Sequence, residues 1–264
     1  MKFLYSGSES LFNGRMKLYP DGHGGERVAE TLVSSRPIFN PRHFERYTRE
    51  ERPVRPVPGI PCEPKEKDPA NVIRAKRRAR KRVFDLAFCN EFDLFVTLTL
   101  NRERIDRYDY KADVRKLGRW LDNRVRRRGL RYVFLPEYHK DGAIHFHGLV
   151  NSGAVKCVDS GHRYKDGRVI YNLPEWSLGW TTAIPLRGDY AAVCAYICKY
   201  ITKQPGNIGG RYYLSGGCLR EPRFEYFNAD YESMAGREIT IDGANLGIKY
   251  CAPGGVPQSS YGGS

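Results

Sequence analysis

Residues 131–150 read Arg131-Tyr-Val-Phe-Leu-Pro-Glu137-Tyr-His139-Lys140-Asp141-Gly142-Ala143-Ile144-His145-Phe146-His147-Gly148-Leu149-Val150. Two apolar runs flank Lys140-Asp141-Gly142, a composition that suits a tight hairpin turn, so we expect strands over residues 131–137 and 144–150. Turn length decides which side chains meet. A two-residue turn at Asp141-Gly142 would put Tyr138 opposite His145 and aim Glu137 away. A three-residue turn with Gly142 in the left-handed region puts His139 opposite Ala143 and Glu137 opposite His145. Lys-Asp-Gly suits this second form, a type I turn closed by a glycine bulge. Residues two apart in a strand point the same way, so His145 and His147 project together while Phe146 enters the opposite side. The expectation is a Glu137, His145, His147 cluster on one face, two imidazoles and a carboxylate suited to a metal ion. A bare His-x-His is also compatible with a hydrogen-bonded pair; the nearby carboxylate favours the metal reading. His139 is a spare ligand by type and a turn residue by position.

The segments on either side complete a sheet. Phe95-Val96-Thr97-Leu98-Thr99-Leu100 alternates, with Phe95, Thr97 and Thr99 on one face and Val96, Leu98 and Leu100 on the other. A helix is expected over residues 110–128, with Val114, Leu117, Leu121 and Val125 as its core stripe and Gly129 as its stop. Asp166-Gly167 marks a smaller hairpin within residues 160–176, and residues 179–186 form a further strand. The order strand, helix, strand, strand, strand, helix implies an α+β fold: an antiparallel β-sheet with helices packed on one face, in the split βαβ arrangement.

The last helix starts at Asp189, runs to about Lys203 and ends before Pro205-Gly206. Tyr196, Lys199, Tyr200 and Lys203 fall at i, i+3, i+4 and i+7, on one helical face. Val193, Cys194, Ile197, Cys198 and Ile201 form a different stripe, available for burial. A tyrosine hydroxyl, with its pKa near 10, attacks poorly at neutral pH, and a neighbouring ammonium favours the phenolate. Tyr196 and Tyr200 are therefore candidate nucleophiles, with Lys199 and Lys203 as helpers. Beside a metal ion they suit attack on a phosphodiester, giving a 5′-phosphotyrosine linkage and a free 3′-hydroxyl.

Composition supports a polyanionic partner. The chain of 264 residues carries a formal charge of +14, and lysine and arginine neutralise phosphates and release counterions. Asp68-Pro69 begins a helix whose body, residues 74–82, is seven-ninths basic. Its Arg74, Lys76, Arg77, Arg78, Arg80, Lys81 and Arg82 are candidate DNA contacts, as are Arg124 and Arg127. Tyr212 and Tyr213 either stack on bases or pack within a hairpin. The seven cysteines are odd in number and contain no C-x-x-C pair, which argues against a disulfide framework or structural zinc and for a reducing cytoplasm. No apolar run is long enough to span a bilayer, and no signal peptide is expected. Residues 1–67, rich in Gly, Pro and Arg, are expected to be an irregular extension. Residues 68–220 form the expected domain, and residues 221–264 a Gly/Tyr-rich tail.

Three ordered motifs carry a resemblance over residues 70–220. The strand 95–100, His145-Phe146-His147 and Tyr196-Ile-Cys-Lys199-Tyr200-Ile-Thr-Lys203 resemble the HUH endonucleases, specifically rolling-circle replication initiators of small phages and plasmids. The doubled tyrosine motif is similar to that of microvirus-like phages. The resemblance implies an antiparallel sheet core, Mg²⁺ or Mn²⁺, and nicking and rejoining of single-stranded origin DNA, usually in a hairpin, in the cytoplasm of a bacterial host. It carries over His145, His147 and Glu137 as metal ligands, Tyr196 and Tyr200 as nucleophiles and Lys199 as their helper; which tyrosine acts first stays open. No G-x-x-x-x-G-K-[ST] loop is present, so a host helicase supplies unwinding and a host polymerase synthesis. The competing readings are a relaxase or transposase with the same chemistry, a non-catalytic RRM-like nucleic-acid-binding module, and a basic structural protein of a phage particle.

Overall fold

The computed structural model describes residues 11–20, 24–41, 68–240 and 246–251. In chain order the elements are β1 (Gly14–Pro20), β2 (Glu26–Ser34), α1 (Pro69–Asn90), β3 (Leu94–Leu100), α2 (Tyr110–Arg128), β4 (Tyr132–Tyr138), β5 (Ile144–Val150), β6 (Val158–Arg163), β7 (Val169–Asn172) and β8 (Gly179–Pro185). There follow α3 (Tyr190–Ile197), α4 (Lys199–Lys203), β9 (Leu214–Gly216), β10 (Arg223–Phe227), β11 (Arg237–Thr240) and β12 (Gly247–Cys251). The chain divides into two compact units, residues 66–221 and residues 1–65 with 222–264.

The 66–221 unit is built on a seven-stranded antiparallel sheet in the order β6-β7-β8-β3-β5-β4-β9. Its α+β class is the expected one, and the helices pack on the sheet. They divide between its faces, however, instead of sharing one. Val114, Leu117 and Leu121 of α2 pack against Val96, Leu98, Phe134 and Phe146 on the first face. Val83 and Leu86 of α1, with Cys194, Ile197 and Ile201 of α3 and α4, pack against Val133, Leu135 and Leu149 on the second. The reason is visible in β4: Tyr132-Val-Phe-Leu is buried at every position, so both faces of that strand need apolar cover.

Local signals set the element ends. The Asp68 side chain accepts from Ala70 N with Pro69 in the first turn of α1, and Gly129, at φ 66°, closes α2. The tyrosine-bearing segment departs from expectation. It is two helices joined at Cys198, where Ile201 N donates to Cys198 O in a tighter, 3₁₀-type step.

The other unit corrects the reading of both chain ends. Residues 14–20 and 26–34, expected to be irregular, are strands, and so are 223–227, 237–240 and 247–251 of the expected tail. They form one antiparallel five-stranded sheet in the order β10-β1-β2-β12-β11. Met16 pairs with Glu225 and Val33 with Lys249. Strands completed by partners some two hundred residues away leave little local signal, and glycine- and proline-rich composition hid the alternation in Met16-Lys17-Leu18. The proline series Pro53, Pro56, Pro58, Pro61 and Pro64 lies outside the described residues.

Candidate active site

The hairpin between β4 and β5 has the three-residue turn. His139 N donates to Ala143 O at 2.7 Å and Gly142 N to His139 O at 3.0 Å, with Gly142 at φ 84°. Asp141 Oδ1 braces the turn by accepting from Ala143 N at 3.0 Å. Glu137 therefore pairs with His145, as the turn chemistry requires. A second Lys-Asp-Gly, at 165–167, makes the same closure between Tyr164 and Arg168, with Gly167 also at φ 84°.

On the other side of β5, β3 sets Thr97 opposite His147 and Thr99 opposite His145. Thr97 Oγ1 lies 3.1 Å from His147 Nδ1, and Thr99 Oγ1 3.5 Å from His145 Nδ1. These threonines are the functional residues that motif reading passed over, although strand parity had already put them on the histidine face. A hydroxyl can donate to or accept from Nδ1, so it satisfies either tautomer. The Nε2 atom of His147 is left to meet Glu137 Oε2 at 2.8 Å. Burial lowers the His147 pKa to about 4 and lowers that of His145 too, outweighing the pull of Glu137. Both imidazoles are thus neutral at neutral pH, and the His147–Glu137 contact is a hydrogen bond to a carboxylate, not an ion pair. His139 stays with its turn, Nδ1 at 3.1 Å from Asp141 Oδ1, with its ring centroid 4.7 Å from that of His145.

The tyrosine helices pack over this face. The Tyr190 hydroxyl accepts from Phe92 N at 2.7 Å and donates to Ala87 O at 2.8 Å, fastening the start of α3 to the end of α1. Cys194, Ile197, Cys198 and Ile201 are buried as expected. Tyr200 is buried with them, at 6 % exposure, whereas Tyr196 is 48 % exposed. The two tyrosines were expected to share an open face; the flat ring of His147 instead gives Tyr200 a surface to stack on. The Tyr200 hydroxyl donates to the Tyr196 hydroxyl at 3.2 Å. Burial, and then that hydrogen bond, push the Tyr200 pKa well up. Lys199 Nζ lies 5.6 Å from the Tyr196 ring centre, and Lys203 Nζ 5.2 Å from that of Tyr200. Lys203 also reaches Glu137 Oε1 at 3.3 Å.

Two imidazoles and a carboxylate on one sheet face are chemically apt ligands for a divalent ion. The set suits Mn²⁺ better than Mg²⁺, since magnesium prefers an all-oxygen shell. Among the described residues no three His, Cys, Asp or Glu side chains already converge as a metal site. His147 and Lys203 hold the two oxygens of Glu137.

The basic residues sort into two groups. Lys76 Nζ donates to the carbonyls of Thr202 and Gln204, tying α1 to the end of α4. Arg82 forks onto Glu221, and Arg74 engages Asn71 Oδ1 at 2.9 Å. Arg124 meets Glu175 at 2.6 Å beside the Trp120 ring. Their charges are committed within the chain. Arg77, Arg78, Arg80, Lys81 and Arg127 stay exposed. Those of α1 lie on the helix that flanks α3 and α4, where Cys198 Sγ approaches Arg80 O at 3.6 Å.

This stretch of chain has a counterpart among known families. Residues 93–205 match the family model for replication-associated proteins of the ORF2 type. The match runs from just before β3 to just past α4, and so includes both histidines, Glu137 and both tyrosines. No curated protein and no solved structure matches the chain. Among the described residues no helix is long and apolar enough to cross a membrane.

Proposed function

We propose that the chain is a rolling-circle replication initiator that nicks and rejoins single-stranded origin DNA through a tyrosine-linked intermediate. The observation that carries this reading is the exposed Tyr196 hydroxyl, hydrogen-bonded at 3.2 Å to a Tyr200 whose ring rests on His147. The match to a replication-associated family and the charge of +14 support it.

Tyr196 is the group placed to attack. Its oxygen bonds to phosphorus as the bond from phosphorus to the 3′ oxygen breaks. The tyrosine gives up its proton to solvent, and the leaving 3′ oxygen takes one. The products are a 5′-phosphotyrosine diester and a free 3′-hydroxyl. Because one diester replaces another, the 3′-hydroxyl can reverse the step and rejoin the strand. Tyr200 donates into Tyr196 Oη and so holds one lone pair of that oxygen, leaving its own proton directed elsewhere. Lys199 favours negative charge on Tyr196. His145, His147 and Glu137 would hold a Mn²⁺ or Mg²⁺ ion, which when bound polarises the phosphoryl oxygen. Thr97 and Thr99 orient the two imidazoles from behind. The exposed basic residues of α1 provide a path for the DNA backbone towards the tyrosines. Unwinding and synthesis fall to a host helicase and polymerase.

The test is a denaturing gel with labelled origin hairpin DNA, Mn²⁺ or chelator, and wild type beside Tyr196→Phe, Tyr200→Phe and the double variant. A metal-dependent, SDS-stable adduct that the double variant lacks is the expected result. Tight binding to the same DNA without any adduct would overturn the enzyme reading and leave the binding-module one.

A further inference from the structure

A cavity of about 600 Å³ opens between α2 and residues 210–215. It lies on the α2 face of the sheet, away from the histidines and tyrosines, and the chemistry proposed above makes no use of it. Its volume suits a small-molecule group or a single nucleotide. At its floor is Tyr132, only 4 % exposed. Gly216, the strand partner of Tyr132, makes room for this tyrosine: a Cβ there would come within 2.8 Å of the hydroxyl. Among the described residues that hydroxyl has no hydrogen-bond partner. A phenol buried so far usually finds one, which makes this group an unfilled donor and acceptor. Burial and the nearby Asp122 carboxylate push its pKa up to about 12, so it keeps its proton.

The remaining lining has a consistent chemistry. Arg115 and Arg211 are exposed at the mouth, and among the described residues neither is in an ion pair. Asp122 offers only acceptors, and the half-buried Tyr212 and Tyr213 supply aromatic wall. Guanidinium groups suit a phosphate, aromatic rings suit a base, and a carboxylate beside a hydroxyl suits a base edge that carries an amino group.

We infer that this cavity binds one nucleotide of the single-stranded DNA, with Arg115 and Arg211 on its phosphate and Asp122 and Tyr132 on the amino-bearing edge of its base. The inference rests on the proposed action on single-stranded DNA. It adds a point of base selection separate from the tyrosines. Cytosine presents an N4 amino group to a carboxylate, whereas thymine presents an O4 acceptor that the carboxylate repels.

The experiment is fluorescence anisotropy of the full chain with labelled oligo(dC) and oligo(dT), in chelator and at fixed ionic strength. Wild type is expected to prefer oligo(dC) by about tenfold, the worth of one hydrogen bond to a charged group. Asp122→Asn and Tyr132→Phe should cut that preference to about twofold or less while retaining wild-type circular dichroism. Arg115→Ala with Arg211→Ala should weaken both oligonucleotides equally and flatten the salt dependence. A wild type without base preference, or a preference untouched by Asp122→Asn and Tyr132→Phe, would overturn the assignment. Loss of the preference with loss of folded signal in Tyr132→Phe leaves Asp122→Asn, a surface change, to decide. If these variants still form the covalent adduct normally, only the cavity assignment falls. If wild type binds neither oligonucleotide and forms no adduct, both readings fall.

Discussion

The ring of Tyr200 lies on the imidazole of His147, centroids 4.1 Å apart and planes 13° from parallel. The two tyrosines of the motif are therefore unequal as they stand: one is packed against a candidate ligand and the other faces solvent. We expect Tyr196→Phe to lower the first cleavage by at least about a hundredfold, the scale on which loss of a nucleophile is felt. Tyr200→Phe, which keeps the stacked ring, should leave the first cleavage within about tenfold and impair transfer to a second strand. Single-turnover cleavage resolved on denaturing gels separates the two, and the reverse pattern would make Tyr200 the initiating residue.

Lys203 occupies Glu137 Oε1 at 3.3 Å, where a divalent ion would compete for the same carboxylate. Lys203→Met should then tighten Mn²⁺ binding by up to about fivefold, since a half-exposed ion pair is worth at most about 1 kcal/mol. The same substitution should reduce adduct yield, because the ammonium beside the tyrosine pair is gone. Calorimetry with the metal alone checks the first half, and unchanged or weaker binding would show that the pair does not oppose the ion.

Asp113 is a fully buried carboxylate on α2, with Oδ2 lacking a partner and Lys116 Nζ 3.5 Å from Oδ1. Burial raises its pKa to about 6. A folded-state pKa above the unfolded value means that ionisation opposes folding. This penalty is absent below about pH 4, grows as pH rises through the interval to about 6, and is complete above it, at about 3 kcal/mol. Asp113→Asn should therefore stabilise the 66–221 unit by up to about 3 kcal/mol at pH 7.5 and by almost nothing at pH 4. All three tryptophans, Trp120, Trp176 and Trp180, belong to that unit, so denaturant unfolding followed by tryptophan fluorescence reads it alone. Equal gains at both pH values would assign the effect to packing instead.

Gly148 follows His147 in β5, and a Cβ there would meet the Phe134 ring at 2.4 Å. Gly148→Ala should cost about 1–3 kcal/mol through overpacking, with a loss of metal affinity as the strand shifts beside His147. Gly153→Ala has nothing within 4 Å of its new atom and serves as the neutral control. Equal stability of the two variants would refute the packing argument.

The site was more legible than the architecture around it, for a physical reason. The cross-strand pair of Glu137 and His145 follows from a three-residue turn, and that turn follows from Lys140-Asp141-Gly142, all within nine residues of chain. The caps at Asp68 and Gly129 are local in the same way. The burial of Tyr200 is not local, since it depends on where His147 puts its ring; helical spacing alone offered Tyr196 and Tyr200 as equals. The division of helices between two faces depended on the burial of every residue in Tyr132-Val-Phe-Leu, a pattern that alternation rules do not assign to one side. The sheet made by the chain ends escaped because β1 and β10 are far apart in sequence and neither is persuasive alone.

That pairing of β1 with β10 has a bearing on the order of events during synthesis. The strands of residues 14–34 leave the ribosome first and then wait, because the strand that flanks β1 has not yet been translated. Residues 66–221 are continuous in sequence and can close their sheet as soon as β9 emerges. The histidines and tyrosines are thus assembled while the earliest part of the chain is still short of its neighbours, and the first segment made is among the last to be finished.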